Sequence, residues 1–198
     1  ERDFDFLQAD GHQLFDGMLF AGDYTPNHGH DNATEGIGVL DEYTDGFVIG
    51  NLTPDGDLDG NAMAPLLDAA QGCGLTLHRC IDVSRNLQET YLRAAELGFD
   101  TVLTSGGAAN CYAGKENIAA LIELRDQKNG PEVLIGAGVN SKVITAFRKE
   151  VSNARAFHMS GKTDVESGMM FRREGVPMGL PGLDEWHIPQ TDEQKVRA

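Results

Sequence analysis

Short apolar runs that stop abruptly at polar or glycine residues recur along this chain, with helical stretches between them. That rhythm constrains the fold more than any other feature. The run Leu75-Thr76-Leu77-His78-Arg79-Cys80-Ile81-Asp82 is followed 21 residues later by Leu103-Thr104-Ser105-Gly106-Gly107. The stretch between them, residues 86–98, reads as a helix. Strand, helix and strand at this spacing form a parallel βαβ unit. Residues 45–52 supply an earlier strand, followed by a helix over 61–71. A strand over 132–138 follows a helix over 115–127, and a strand over 154–160 follows a helix over 141–150. Strand starts recur every roughly 25 to 30 residues, the size of a βα repeat. Gly72, Gly74 and Gly98 fall where helices should stop and turn into the next strand. Five consecutive βα units predict an α/β fold, a parallel sheet covered by helices.

The strand ends also carry a resemblance. Leu77-His78-Arg79-Cys80-Ile81-Asp82, Leu103-Thr104-Ser105-Gly106-Gly107, Gly136-Ala137-Gly138-Val139 and His158-Met159-Ser160 are similar to FHRAFD, LTSGG, a GGGV-like turn and a final His-x-Ser. Those are strand-end sequences of the CutC family, named as copper homeostasis proteins. Leu52-Thr53-Pro54-Asp55-Gly56, Ser167-Gly168-Met169-Met170-Phe171-Arg172 and Val176-Pro177-Met178-Gly179 resemble family sequence as well, so the likeness runs from about Asp45 to Arg197. It implies a (β/α)8 TIM barrel, a cytosolic protein implicated in copper homeostasis, and a homo-oligomer. The family has Ala where Cys80 stands. Its eight strands exceed the five read here, and Glu1-Arg2-Asp3-Phe4-Asp5-Phe6 resembles the segment just after the family's third strand. The expectation is a fragment of a longer protein, or else a truncated product that must pair with another chain. One CutC-like domain over 1–198 is expected, with a loop insertion at 23–36 and a C-terminal extension over 161–198 anchored by Trp186.

Length and charge narrow the function. At 198 residues the chain is ample for one core, but (β/α)8 barrels typically need about 250. Residues 1–60 hold fourteen Asp and Glu against one Arg, most of the net charge of −15. Nucleic-acid binding is not expected, because phosphate backbones require basic surface. No stretch approaches the apolar length of a membrane span. Cys73, Cys80 and Cys111 make an odd count without a disulfide framework, which favours a reducing compartment such as the cytosol.

Strand alternation then selects candidate site residues. If Leu75 and Leu77 face the helices, then Thr76, His78 and Cys80 face the barrel interior. In residues 154–160, Phe157 and Met159 make the apolar face and leave His158 and Ser160 inward. Ser105-Gly106-Gly107 and Gly136-Ala137-Gly138 end consecutive strands, and both can turn backbone N–H groups toward an anion. Arg79 could clamp a carboxylate or phosphate. His78 or His158 could move protons near neutral pH, and Asp82 could orient either. The plain alternative is that these glycines only permit tight turns and that Arg79 pairs with Asp82.

Two functions stay open. Copper handling needs soft donors, and Cys80 and Cys111 are the thiols expected on the C-terminal rim; Cys73 falls on the opposite rim. The chain has no CxxC pair and no Met-rich cluster. His28-Gly29-His30-Asp31 reads as a solvated loop. The other function is an enzyme or binding protein for a small anionic or phosphorylated metabolite, using Arg79, the histidines and the glycine loops. No lysine points into the barrel to form a Schiff base, although Lys162 lies just past the last strand. Ser105 lacks the preceding glycine of a nucleophile elbow.

Overall fold

The computed structural model describes residues 18–20, 46–70, 72–173, 175–176 and 184–198. The expected loop over 23–36, with His28 and His30, lies outside the described residues. Six strands form one parallel sheet in chain order: β1 Met18–Phe20, β2 Gly46–Ile49, β3 Gly74–Leu77, β4 Thr101–Thr104, β5 Glu132–Ile135 and β6 Ala156–Phe157. Each of the last five pairs with its predecessor in parallel register, for example Val48 opposite Thr76 and Thr101 opposite Glu132. The helices between them are α1 Gly60–Ala69, α2 Leu87–Glu96, α3 Lys115–Lys128 and α4 Ser141–Glu150. A parallel sheet whose strands alternate with helices is the α/β fold that the strand rhythm predicts, and its sequential strand order is consistent with part of the (β/α)8 barrel that the resemblance implies. β1 is the one strand of this sheet that the sequence reading lacks.

Local chemistry sets the helix starts. Asp59 accepts from the Ala62 amide at the head of α1, Asn86 from those of Gln88 and Glu89, and Asn140 from those of Lys142 and Val143. Each short polar side chain satisfies donors that have no partner inside the helix. At the far end of α2, Gly98 adopts φ +85°, as its place in the sequence suggested.

Alternation along the strands separates two faces. Phe47, Ile49, Leu77, Val102, Val133 and Ile135 pack with Met63, Leu66, Tyr91, Ala94, Ile118, Leu121 and Phe147 from the helices. Val48 and Thr76, one position out of step, are buried on the other face. Two polar groups fasten the layer at the N-terminal ends of the strands. Tyr91 Oη donates to Pro131 O at 2.6 Å, and burial pushes its phenol up to about 12. The buried Arg125 reaches Glu132 Oε1 at 2.6 Å, Asp126 Oδ1 at 2.9 Å and Asn153 O at 3.0 Å.

Residues 161–198 contain a small antiparallel ribbon, β7 Lys162–Glu166 and β8 His187–Thr191, followed by α5 Glu193–Arg197. Trp186 joins this segment together. Its carbonyl accepts from the Ser167 amide at 2.7 Å, and the Arg172 guanidinium lies 4.6 Å from its ring centre. Lys162 is exposed on the ribbon, where its carbonyl accepts from Lys195 Nζ at 2.7 Å.

The core makes a direct prediction. Phe147 is fully buried, with its ring edge-on to that of Phe157 at 6.1 Å. Phe147→Ala should cost about 3–5 kcal/mol in urea unfolding. A cost below about 1 kcal/mol would mean that α4 does not seal the sheet as described.

Candidate functional site

Strand β3 ends at Leu77, and the chain then tightens into a 3-10 turn over Arg79–Val83. The sequence reading extended the strand to Cys80. The turn wins because local side-chain hydrogen bonds hold it: His78 Nδ1 accepts from the Cys80 amide at 3.0 Å, and Ser84 Oγ donates to Ile81 O at 2.8 Å. Cys80 is therefore placed by this turn and not by strand alternation. In a 3-10 turn, side chains three positions apart lie above one another. Arg79 and Asp82 meet in this way, Nε donating to Oδ2 at 2.7 Å.

Asp82 then reaches the end of β4. Its carboxylate accepts from Thr104 Oγ1 at 2.5 Å and from the Ser105 amide, Ser105 Oγ and the Gly107 amide, each at 3.0 Å. The Gly106 amide donates to Thr104 Oγ1 at 2.8 Å. All three amides of the Ser105-Gly106-Gly107 loop are thus engaged inside the protein. Arg79 Nη2 closes the cluster by donating to Ser105 Oγ at 2.7 Å. Ser105 Oγ also lies 2.7 Å from Ala108 O, a second acceptor for its single proton. The loop needs glycine at Gly106, which has φ +73° and whose Cβ would stand 2.3 Å from Gly114 O.

Charge follows this geometry. Burial alone would raise Asp82, but the hydrogen bonds from Thr104, Gly107, Arg79 and Ser105 outweigh it and hold the carboxyl below the usual carboxylate range. The Asp82 side chain is 6% exposed and that of Arg79 is 44%. The pair therefore presents its cation, not its anion, to solvent.

The histidines follow directly on the ends of β3 and β6. The His78 amide donates to Ile49 O at 3.1 Å and that of His158 to Ile135 O at 2.8 Å, so each extends the ladder one step past its strand. Phe157 packs edge-on against Phe147 of α4. Burial lowers the His158 pKa and keeps its ring neutral. Glycine makes room beside His78 and Leu103. A Cβ on Gly50 would stand 2.7 Å from Cys80 Sγ and 2.8 Å from His78 Cε1, and one on Gly136 would stand 2.7 Å from Leu103 Cδ1 and 3.9 Å from His158 Cβ.

The thiols separate. Cys80 is half-buried next to His78. Cys111 is 1% exposed and belongs to the core, and burial pushes its thiol up. Its amide donates to Ala137 O at 2.9 Å and so ties the two late loops together. Cys73 is half-buried against the core at the end of α1, and none of the three is in a disulfide. Among the described residues, no group of three or more His, Cys, Asp or Glu could hold a metal ion. No helix among them is long and apolar enough to cross a membrane.

The Gly136-Ala137-Gly138 turn differs from the Ser-Gly-Gly loop. Ala137 and Gly138 are both left-handed, at φ +70° and +80°. Their amides donate to no acceptor among the described residues. Sequence reasoning singled out both loops, but it missed Thr104 and Gly50. A threonine closing an apolar strand and a glycine closing another were the available signals.

The carboxylate makes the acid limb of stability predictable. A carboxyl whose folded pKa is depressed stabilises above its unfolded value, near 3.9, and that stability is lost as pH falls through the lower folded value. Asp82→Asn should lose roughly 2 kcal/mol at neutral pH and show a shallower decline than wild type below about pH 4. Identical acid limbs in urea unfolding across pH would show that Asp82 carries no such charge.

The model of the CutC family matches residues 33–163. A CutC family protein from Bacteroides fragilis is 40% identical over 136 residues, covering 68% of this chain and 53% of the relative. One from Parabacteroides distasonis is 37% identical over 154 residues, covering 77% and 62%. The crystal structure of a Streptococcus agalactiae protein named for copper homeostasis, CutC, superposes with a TM-score of 0.52 at 26% identity, over 58% of this chain and 55% of that one. The chain spans about half to three fifths of the length of these curated relatives. By the family match, the identity of its relatives and the barrel strands that carry the matched motifs, the chain belongs to the CutC family.

Proposed function

We propose that this chain serves in copper homeostasis and takes Cu(I) as cargo at Cys80 and His78. The role is carried over from the naming of a relative, whereas the site is this chain's own, since the family has Ala where Cys80 stands. The observation that supports the site is the convergence of the Cys80 sulfur and the His78 ring over Gly50, where the absent Cβ leaves both side chains close together. A thiolate beside an imidazole is a donor pair suited to Cu(I), which prefers soft ligands and accepts few of them. Cys111 is the weaker donor of the two thiols, since burial keeps its proton on. In this reading the protein works in the cytosol, where its three thiols stay reduced, as a homo-oligomer without nucleic-acid or membrane partners.

A second reading rests on a different observation. Arg79 presents an exposed guanidinium at the rim, and the Ala137 and Gly138 amides stand at the neighbouring late loop. In barrel enzymes the loops after late strands commonly hold phosphate, so a small anionic or phosphorylated metabolite is the matching ligand. His78 and His158 would be its proton carriers, with Asp82 orienting Arg79.

An anaerobic Cu(I) competition titration against a chromophoric chelator separates the two. Wild type should hold one Cu(I) per chain, Cys80→Ser should bind at least about tenfold more weakly, and Cys111→Ser should bind as wild type. Binding indifferent to Cys80→Ser would remove the copper site. Retention of phosphorylated metabolites that disappears in Arg79→Ala would then favour the second reading.

A further inference from the structure

We infer that the Ser105-Gly106-Gly107 loop is an anion cradle whose resident anion is the protein's own Asp82 carboxylate. The inference is independent of either functional reading. Consecutive glycines at φ +73° and +68° curl the loop so that amides converge, the backbone concavity that binds phosphate and carboxylate in other proteins. Here the ligand is tethered. Asp82 takes the Ser105 and Gly107 amides, two hydroxyls and one guanidinium edge, the inventory of a buried oxyanion site. Its two oxygens offer about four lone-pair positions, and five donors already crowd them.

Two consequences follow. The loop is closed to external anions in the native protein, because the only group that could vacate it is covalently attached and nearly buried. The loop is also locked without any ligand, so Arg79 is pre-set at the rim by Asp82 on one edge and Ser105 on the other. An anion reaching this rim would meet the outer edge of Arg79 and not the Ser-Gly-Gly amides.

Removing the tether should convert the internal site into a real one. Asp82→Ala leaves a hole of carboxylate size lined by donors, and formate is the probe that fits it. The melting temperature of Asp82→Ala should fall by about 5 °C or more from loss of charged hydrogen bonds. It should recover in a saturable manner with sodium formate but not with sodium chloride at equal ionic strength. Asp82→Asn fills the hole with a neutral amide and should gain nothing from formate. In wild type, the Ser105 and Gly107 amide resonances should not move when formate or inorganic phosphate is added. The inference is overturned if Asp82→Ala is as stable as wild type, if formate does no more than chloride, or if the wild-type amides titrate with either anion. Should Asp82→Ala be insoluble, recovery of soluble protein on refolding in formate supports the inference, and failure at every formate concentration counts against it.

Discussion

A nearly buried carboxylate must be matched by donors or it will not stay ionised, and at Asp82 that requirement organises the rim of this barrel. The Arg79–Val83 turn and the Ser105–Gly107 loop belong to different βα units, and Asp82 and Arg79 join them. Five donors from four residues meet on one side chain. Thr104 is the relay: its hydroxyl donates to Asp82 and accepts from the Gly106 amide, so the end of β4 and its loop are fixed by one group. Asn117 secures the same loop from α3, donating to Gly106 O at 2.8 Å. The rim is therefore held by polar contacts above a core held by apolar ones.

Glycine sets how closely these pieces approach. At Gly106 both the backbone conformation and the crowding by Gly114 exclude a side chain, and the loop would have to shift to admit one. At Gly50 the neighbour is a sulfur and an imidazole instead of backbone, and the same absence of a Cβ brings two candidate metal donors together. One residue type thus serves a structural closure at the end of one strand and a chemical juxtaposition at the end of another.

Much of the fold was legible because parallel βα repeats write themselves into sequence. The helix over 141–150 was placed to the residue, since Asn140 caps it and its apolar positions recur on one face. The end of β3 was misplaced, because apolar alternation in Leu75-Thr76-Leu77-His78 carries on without a break while side-chain hydrogen bonds from His78 at its start and Ser84 at its end hold the 3-10 turn. Of the candidate residues, Arg79, Asp82 and Ser105 do cluster, though mainly with one another. Cys111 lies in the loop after β4, bonded to the neighbouring Ala137 loop, with its thiol buried against the core.

By itself the sequence determined the α/β class, the order of strands and helices, and which strand ends carry polar groups. Those properties depend on periodicity and capping, which act over a few residues. Only the tertiary structure decided which polar groups meet. It assigned the Ser105 and Gly107 amides to Asp82, set Cys80 against His78 and buried the Cys111 thiol. These outcomes depend on how adjacent βα units pack, and on the rule that a buried charge takes the nearest donors, whichever strand they come from.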